Sequence, residues 1–459
     1  MLQNLSRTGL MLALLVIPLG ALADPAPSEV DALRREIQSI RADYEARLQA
    51  LEQRVRAAEA AATQASTAAT PVAPPPVAAT ASTGGGANAF NPALSLILSG
   101  GYTRSSKDPA NYAITGFPLP PDAEIGPGRR GFNLSESELG FSASIDPWLR
   151  GVAHLALKPD DSVSVEEAFF QTTALGNGLS LKAGRFYSGV GYLNAQHAHT
   201  WDFADNPLAY QAMLGTQYGD DGMQLTWIAP LDHYLELGAE IGRGRSFPGG
   251  DSSRNGAGMT ALMLHTGGDI GDSSNWRVGL SVLDAKANNQ ALTATNAAGE
   301  MVNSVFSGNT RVWVLDGVWK WAPNGNATRT NFKLQGEYLR GTRNGTVLYD
   351  AGDTNAFGGY RVVQSGWYVQ GVYQFMPRWR IGLRTERLNP GAPNFWSAST
   401  ALFGNYRPHK NSAMLDFSPS EFSRIRLQFA QDRARQGIVD NQITVQYQMS
   451  LGAHGAHSY

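Results

Sequence analysis

From Gln442 to Leu451 the chain alternates strictly: Ile443, Val445, Tyr447, Met449 and Leu451 are apolar or aromatic, and the residues between them are Gln, Thr and Ser. The preceding segment sets Ile425, Leu427 and Phe429 against Arg424, Arg426, Gln428 and Asp432, and another sets Trp379, Ile381 and Leu383 against Arg380 and Arg384. A period of two means a β-strand with one apolar and one polar face. The pattern predicts strands at 94–104, 133–145, 148–158, 162–173, 178–187, 222–229, 233–244, 256–270, 275–286, 309–322, 330–342, 360–376, 378–388, 409–418, 423–433 and 440–451, sixteen in all. Every second connection is short: Asp146-Pro147, Gly176-Asn177, Pro230-Leu231-Asp232, Asp272 to Ser274, Asn324-Gly325-Asn326, Pro377 and Ser418 to Glu421. Those between are mostly long, including 105–132, 188–221, 287–308, 343–359 and 389–408. Turns at one end, loops at the other and an even strand number predict an all-β transmembrane barrel of antiparallel strands.

The first ninety residues follow other rules. Arg7, the apolar run Leu10 to Leu19 and Ala21-Leu22-Ala23 read as a secretory signal over 1–23. Across 28–60, Val30, Leu33, Ile37, Ile40, Tyr44, Leu48, Leu51 and Val55 recur at spacings of 3-4-3-4-4-3-4. That is a heptad seam with one stutter, which predicts a self-associating α-helical coiled coil in the periplasm, a trimer in preference to a dimer. Residues 61–90 are almost entirely Ala, Thr, Pro and Gly, too poor in apolar bulk to fold. They form a linker, and the barrel occupies 91–459.

Composition sharpens this picture. Charged residues are 17% of the chain, below the usual ~25%, and the 50 glycines are roughly half again the usual share. Net charge is −2 with no basic excess, so nucleic acid is not an expected partner. No cysteine is present, which excludes disulfides and thiolate metal sites. No stretch beyond the signal is apolar enough for a membrane helix. Trp148, Trp227, Trp276, Trp319, Trp321 and Trp379 fall beside proposed turns, where a bilayer interface accepts both ring and N–H. Outer-membrane lipid and the barrel-assembly machinery are the partners this location requires.

Sixteen strands enclose an aqueous lumen, and Lys333, Gln335, Glu337, Arg380, Arg384, Arg424, Arg426 and Gln446 sit on the inward faces. The arginines read either as a positive ladder or, with Asp432, Glu386 and Glu337 as counter-charges, as a wet lining. In the 188–221 loop His197, His199 and Asp202 have spacing compatible with a Zn²⁺ site, or with a loop merely packed on the wall. His454 and His457 repeat that spacing loosely. Otherwise no cofactor is expected. No nucleophile elbow, phosphate loop or zinc-protease motif occurs, and Glu166-Glu167 falls on opposite faces of a strand, so an enzyme is not expected.

The whole plan resembles the DcaP-like and phosphate-selective porin group, implying a trimeric outer-membrane channel for small polar or ionic solutes. Phe90-Asn91-Pro92-Ala93, Asn194 to Phe203, Tyr218-Gly219-Asp220-Asp221-Gly222 and Leu451 to His457 resemble proteobacterial proteins labelled zinc-regulated TonB-dependent outer-membrane receptors. That resemblance implies energised uptake of zinc or a chelate. A receptor of that class has a plug domain and about 22 strands, and neither fits here. Passive diffusion therefore ranks first, receptor-type transport second, and a structural tether to a periplasmic partner third.

Overall fold

Alternation does its work along the whole second part of the chain. The computed structural model describes residues 92–135, 137–250, 255–395, 403 and 405–452. The signal, heptad and linker assignments, and His454 and His457, lie outside the described residues. Sixteen antiparallel strands run β1 (Ala93–Ser105), β2 (Gly131–Leu134 and Ser137–Ser144), β3 (Leu149–Leu157), β4 (Val163–Thr172), β5 (Leu179–Tyr187), β6 (Gly219–Ile228), β7 (Tyr234–Gly242), β8 (Met259–Ile270), β9 (Ser274–Thr295), β10 (Met301–Trp321), β11 (Asn331–Tyr349), β12 (Ala356–Met376), β13 (Trp379–Asn389), β14 (His409–Ser420), β15 (Ser423–Arg433) and β16 (Asp440–Gly452). Both pieces of β2 pair with β1, and Asn394–Phe395 adds a two-residue pairing to β12 beyond β13. Each strand pairs with its neighbours in the chain. Ser95 to Ser105 of β1 pair with Gly452 to Gln442 of β16, which closes the barrel and leaves no free edge.

Three segments differ from the sequence reading, two of them for a physical reason. The segments 287–308 and 343–359, read as loops, are largely strand. The β9–β10 and β11–β12 hairpins continue to tips at 296–300 and 350–355. Polar residues there belong to the outer face of a wall rising past the apolar band, so polarity did not mark a loop. The short segment at 222–229 begins earlier, at Gly219, and so reaches full length.

The outer face of β8–β12 is ordered in rows. Leu264, Leu280, Leu315, Tyr338 and Trp367 are neighbours across five strands. Trp276, Trp319 and Leu334 form a row nearer the short turns. Toward the loops Thr260, Asp284, Arg311 and Thr342 form a polar row, with Asp284 and Arg311 ion-paired at 2.8 Å. Leu262, Leu315 and Leu383 are more than half exposed. An apolar belt edged by aromatic rings and bounded by charge is the surface a bilayer solvates.

The interior is split. In the long-loop half, segments 106–130 and 188–218 and the wall form one apolar core that includes Ile114, Phe117, Leu193, Leu208, Val314 and Leu339. Nearer the turns most inward side chains are charged or amide, with Phe203, Val372 and Met414 forming a small apolar cluster among them. The expectation of an aqueous lumen is corrected in the long-loop half, which the barrel's own loops pack.

Candidate functional site: the inward loop and its anchors

The 188–218 connection between β5 and β6 does not project outward; it turns into the barrel and is almost wholly buried. Its neck is closed by Asn194, whose Nδ2 donates to Ser188 O (2.8 Å) and Tyr218 O (2.9 Å) while its Oδ1 accepts from Tyr218 N (2.8 Å). Gly191, at φ +73°, brings the backbone against Tyr210 and Glu337, and an added Cβ would stand 2.6 Å from the Tyr210 hydroxyl. Only glycine fits both demands. A short helix, α1 (Leu208–Leu214), follows Pro207 and stops at Gly215 in the left-handed region; all seven of its residues are buried.

Every inward residue named from the sequence meets this loop or a residue that does. Glu337 accepts from Tyr192 N (3.1 Å), Leu193 N (3.0 Å) and the hydroxyls of Tyr210 (2.7 Å) and Tyr368 (2.6 Å). Asp202 pairs with Lys333 at 2.5 Å and Arg380 at 3.2 Å. Asp205 pairs with Arg384 at 2.7 Å and Lys410 at 2.5 Å. Arg424 donates to His199 O (2.8 Å) and Trp201 O (3.2 Å), and Arg426 to Trp201 O (2.7 Å) and Asp416 (2.9 Å). Gln446 Oε1 accepts from Arg426 at 3.2 Å. Burial alone would raise the carboxyl pKa of Asp202 and Asp205, yet Lys333 and Arg380 hold the first, and Arg384 and Lys410 the second, below the ordinary range. The arginines thus form neither an open ladder nor a free lining. They are a seat for the loop: the sequence reading allowed a loop packed on the wall, but did not assign the arginines to holding it.

The structure separates the residues grouped as a zinc site. Asp202 points to Lys333 and Arg380, away from the histidines. His197 instead meets three wall strands, β2, β3 and β4: His154 Nδ1 lies 3.1 Å from His197 Nε2, and Glu167 Oε2 lies 3.2 and 2.9 Å from those same nitrogens. Glu166 Oε2 is 3.2 Å from His197 Nδ1, and Glu138 Oε2 is 2.9 Å from that nitrogen and 3.3 Å from His199 Nδ1. Glu166 and Glu167 do converge on one ring, contrary to the alternation argument. The β3–β4 ladder jumps from His154↔Glu167 to Leu155↔Val165, so Glu166 is the extra residue of a bulge, which turns it toward the lumen. No local sequence cue marked that bulge. Burial disfavours a charged His197 ring, but Glu138, Glu166 and Glu167 outweigh it and its pKa stands well above the imidazole norm; at His199 burial prevails and the pKa is lowered.

Comparison with known proteins adds to this geometry. No family model matches the chain. Solved structures similar to it include the loop L8 deletion mutant of OmpT, an outer-membrane protein of Vibrio cholerae, at 11% identity and TM-score 0.48, over 78% of this chain and 98% of that one. The anion-selective porin from Comamonas acidovorans is similar at 11% identity and TM-score 0.48, over 78% and 99%. A protein of Aquifex aeolicus (strain VF5), described as uncharacterized, is 33% identical over 353 residues, spanning 72% of this chain and 71% of its own length. At that identity and coverage, the chain belongs to the same family as the Aquifex aeolicus protein.

Proposed function

We propose that the protein is a porin-like channel of the bacterial outer membrane, through which small polar solutes or ions diffuse. The observation that carries this is a closed barrel with a bilayer-facing belt and an inward loop that narrows a partly polar lumen, each loop carboxylate being held by wall cations. By the usual orientation of such barrels the short turns face the periplasm. Lys333, Arg380, Arg424 and Arg426 stand on β11–β15, while Glu236 and Glu240 stand on β7, eight strands around from β15. Polar and ion-paired groups on both sides of the passage favour polar over apolar solutes. Because apolar loop residues pack the long-loop half, the passage is narrow. Purified protein in planar bilayers should give small, stepwise conductance; a silent bilayer overturns the reading, and the reversal potential in a salt gradient reports any ion preference. The heptad at 28–60 carries the accompanying proposal of a homotrimer, tested by conductance steps in threes and by crosslinked mass.

A further inference from the structure

Three side chains from three places in the chain bring their ligating atoms to one point. We propose that His154 on β3, Glu167 on β4 and His197 on the inward loop, with Glu138 of β2 beside them, bind one divalent transition-metal ion of the zinc class.

The geometry is the first argument. His154 Nδ1, His197 Nε2 and Glu167 Oε2 form a triangle with edges of 3.1, 3.2 and 2.9 Å. Ligands around a tetrahedral ion with bonds of about 2.0–2.1 Å stand about 3.3 Å apart. Glu138, His154 and His197 also present ligand atoms that all lie within 4.8 Å of one another, and Glu138 faces the other nitrogens of the two rings, His197 Nδ1 at 2.9 Å and His154 Nε2 at 3.9 Å.

Hydrogen bonding alone serves this triangle poorly. Each ring nitrogen directs a single proton or lone pair along one line. Two imidazole nitrogens and a carboxylate oxygen, all mutually close, then leave at least one edge without a well-aligned proton. A cation above the triangle satisfies all three atoms together. Glu138 Oε2 is fully buried beside the two loop rings, 2.9 Å from His197 Nδ1 and 3.3 Å from His199 Nδ1, so the site carries more carboxylate charge than its rings alone can neutralise.

The surroundings complete the site. With Nε2 on the ion, His197 Nδ1–H donates to Glu166 Oε2 at 3.2 Å, the outer carboxylate that orients a metal-bound imidazole. The bulge at Glu166 is what supplies that partner. Mixed imidazole and carboxylate ligands suit zinc, cobalt or nickel rather than magnesium or calcium, which prefer oxygen alone. Because two ligands are on the wall and one is on the loop, the ion pins the loop to β3 and β4, on the side of the lumen away from the Asp202 and Asp205 anchors.

Zn²⁺ and Co²⁺ are the probes. The full-length protein, folded in detergent and stripped with chelator, should take up one equivalent of Zn²⁺ per chain by calorimetry. With Co²⁺ it should develop the intense visible bands of four-coordinate nitrogen–oxygen ligation. His154→Gln and Glu167→Gln should each weaken Zn²⁺ at least about tenfold, while His265→Gln, at a separate His–Glu pair, leaves the affinity unchanged. Glu167→Gln keeps the shape of the site and carries the test if His154→Gln does not give a heat-modifiable barrel. The proposal falls if Zn²⁺ does not bind, if affinity survives both substitutions, or if it is lost only with His454→Gln and His457→Gln together. None of these measurements involves transport, so the site stands or falls apart from the channel.

Discussion

Replacing Asp205 by asparagine takes one charge from a group of buried ions without changing its shape. Arg384 and Lys410, whose side chains are only 1% exposed, lose the carboxylate that lies 2.7 and 2.5 Å from them. Removing one partner of a buried ion pair costs about 3–5 kcal/mol, because the charge left behind is uncompensated. Here part of that is retained, since Glu386 still accepts from Arg384 at 2.9 Å and Asp432 lies 3.6 Å from Lys410. The expected loss is about 2–3 kcal/mol, or roughly a 30- to 150-fold rise in the open-to-seated ratio of the loop. Asn194, Glu337 and Asp202 hold the loop independently, so it should loosen without leaving. Limited proteolysis of folded protein in detergent should cut faster within 195–217, and single-channel current should become larger and noisier. Combining Asp205→Asn with Lys410→Met should recover stability relative to the single substitution. Unchanged proteolysis, or simple additivity in that double-mutant cycle, would show that the ions do not seat the loop.

Four further outcomes follow from the same contacts. Asn194→Ala leaves Ser188 O and Tyr218 N without the Asn194 side chain, while Tyr218 O keeps the Ser188 N–H, at about 1–3 kcal/mol for each group that water cannot reach; hydrogen exchange at Tyr218 should rise steeply. Gly191→Ala forces a left-handed backbone and a clash with the Tyr210 hydroxyl, so loop protease resistance should fall even though the barrel folds. The depressed carboxyl pKa values of Asp202 and Asp205 mean their stabilisation is complete above about pH 4 and fades only as pH falls through those lower values. Loop resistance of chelator-stripped protein measured against pH should therefore be flat from neutrality to about 4 and drop below it; a drop near pH 6 would contradict this. On the outer wall, Leu280→Arg should destabilise the barrel in lipid by about 2–4 kcal/mol, and Thr260→Arg, two rows toward the loops, by about 0–1, as read from folding titrations into vesicles.

Strand number, most inward faces and the short-turn end were legible in the sequence, because alternation records which side of each strand meets lipid; the loops at 287–308 and 343–359 were not, being largely strand. Lys333, Glu337, Arg380 and Arg426 were placed on the inward face for that reason. Their role was not legible. Whether an inward arginine meets water or Trp201 O depends on where a loop more than two hundred residues earlier comes to rest. The histidine spacing at 197 and 199 drew attention to the right loop but suggested the wrong carboxylate, since Asp202 follows its own ion pairs to another wall. Glu166 and Glu167 were set aside by a rule that assumes a regular ladder, and a bulge breaks that rule without altering composition or spacing.

That bulge matters for how such a protein changes over generations. A substitution must give up one side chain to obtain another, but an extra residue in a ladder is added to a strand already complete. Deleting the codon for Glu166 would leave His154 opposite Glu167 and Leu155 opposite Val165 in unbroken register, a more regular barrel lacking one carboxylate. The outer carboxylate that orients His197 is thus open to gain or loss by a single in-frame indel, and a survey confined to point substitutions would pass over it.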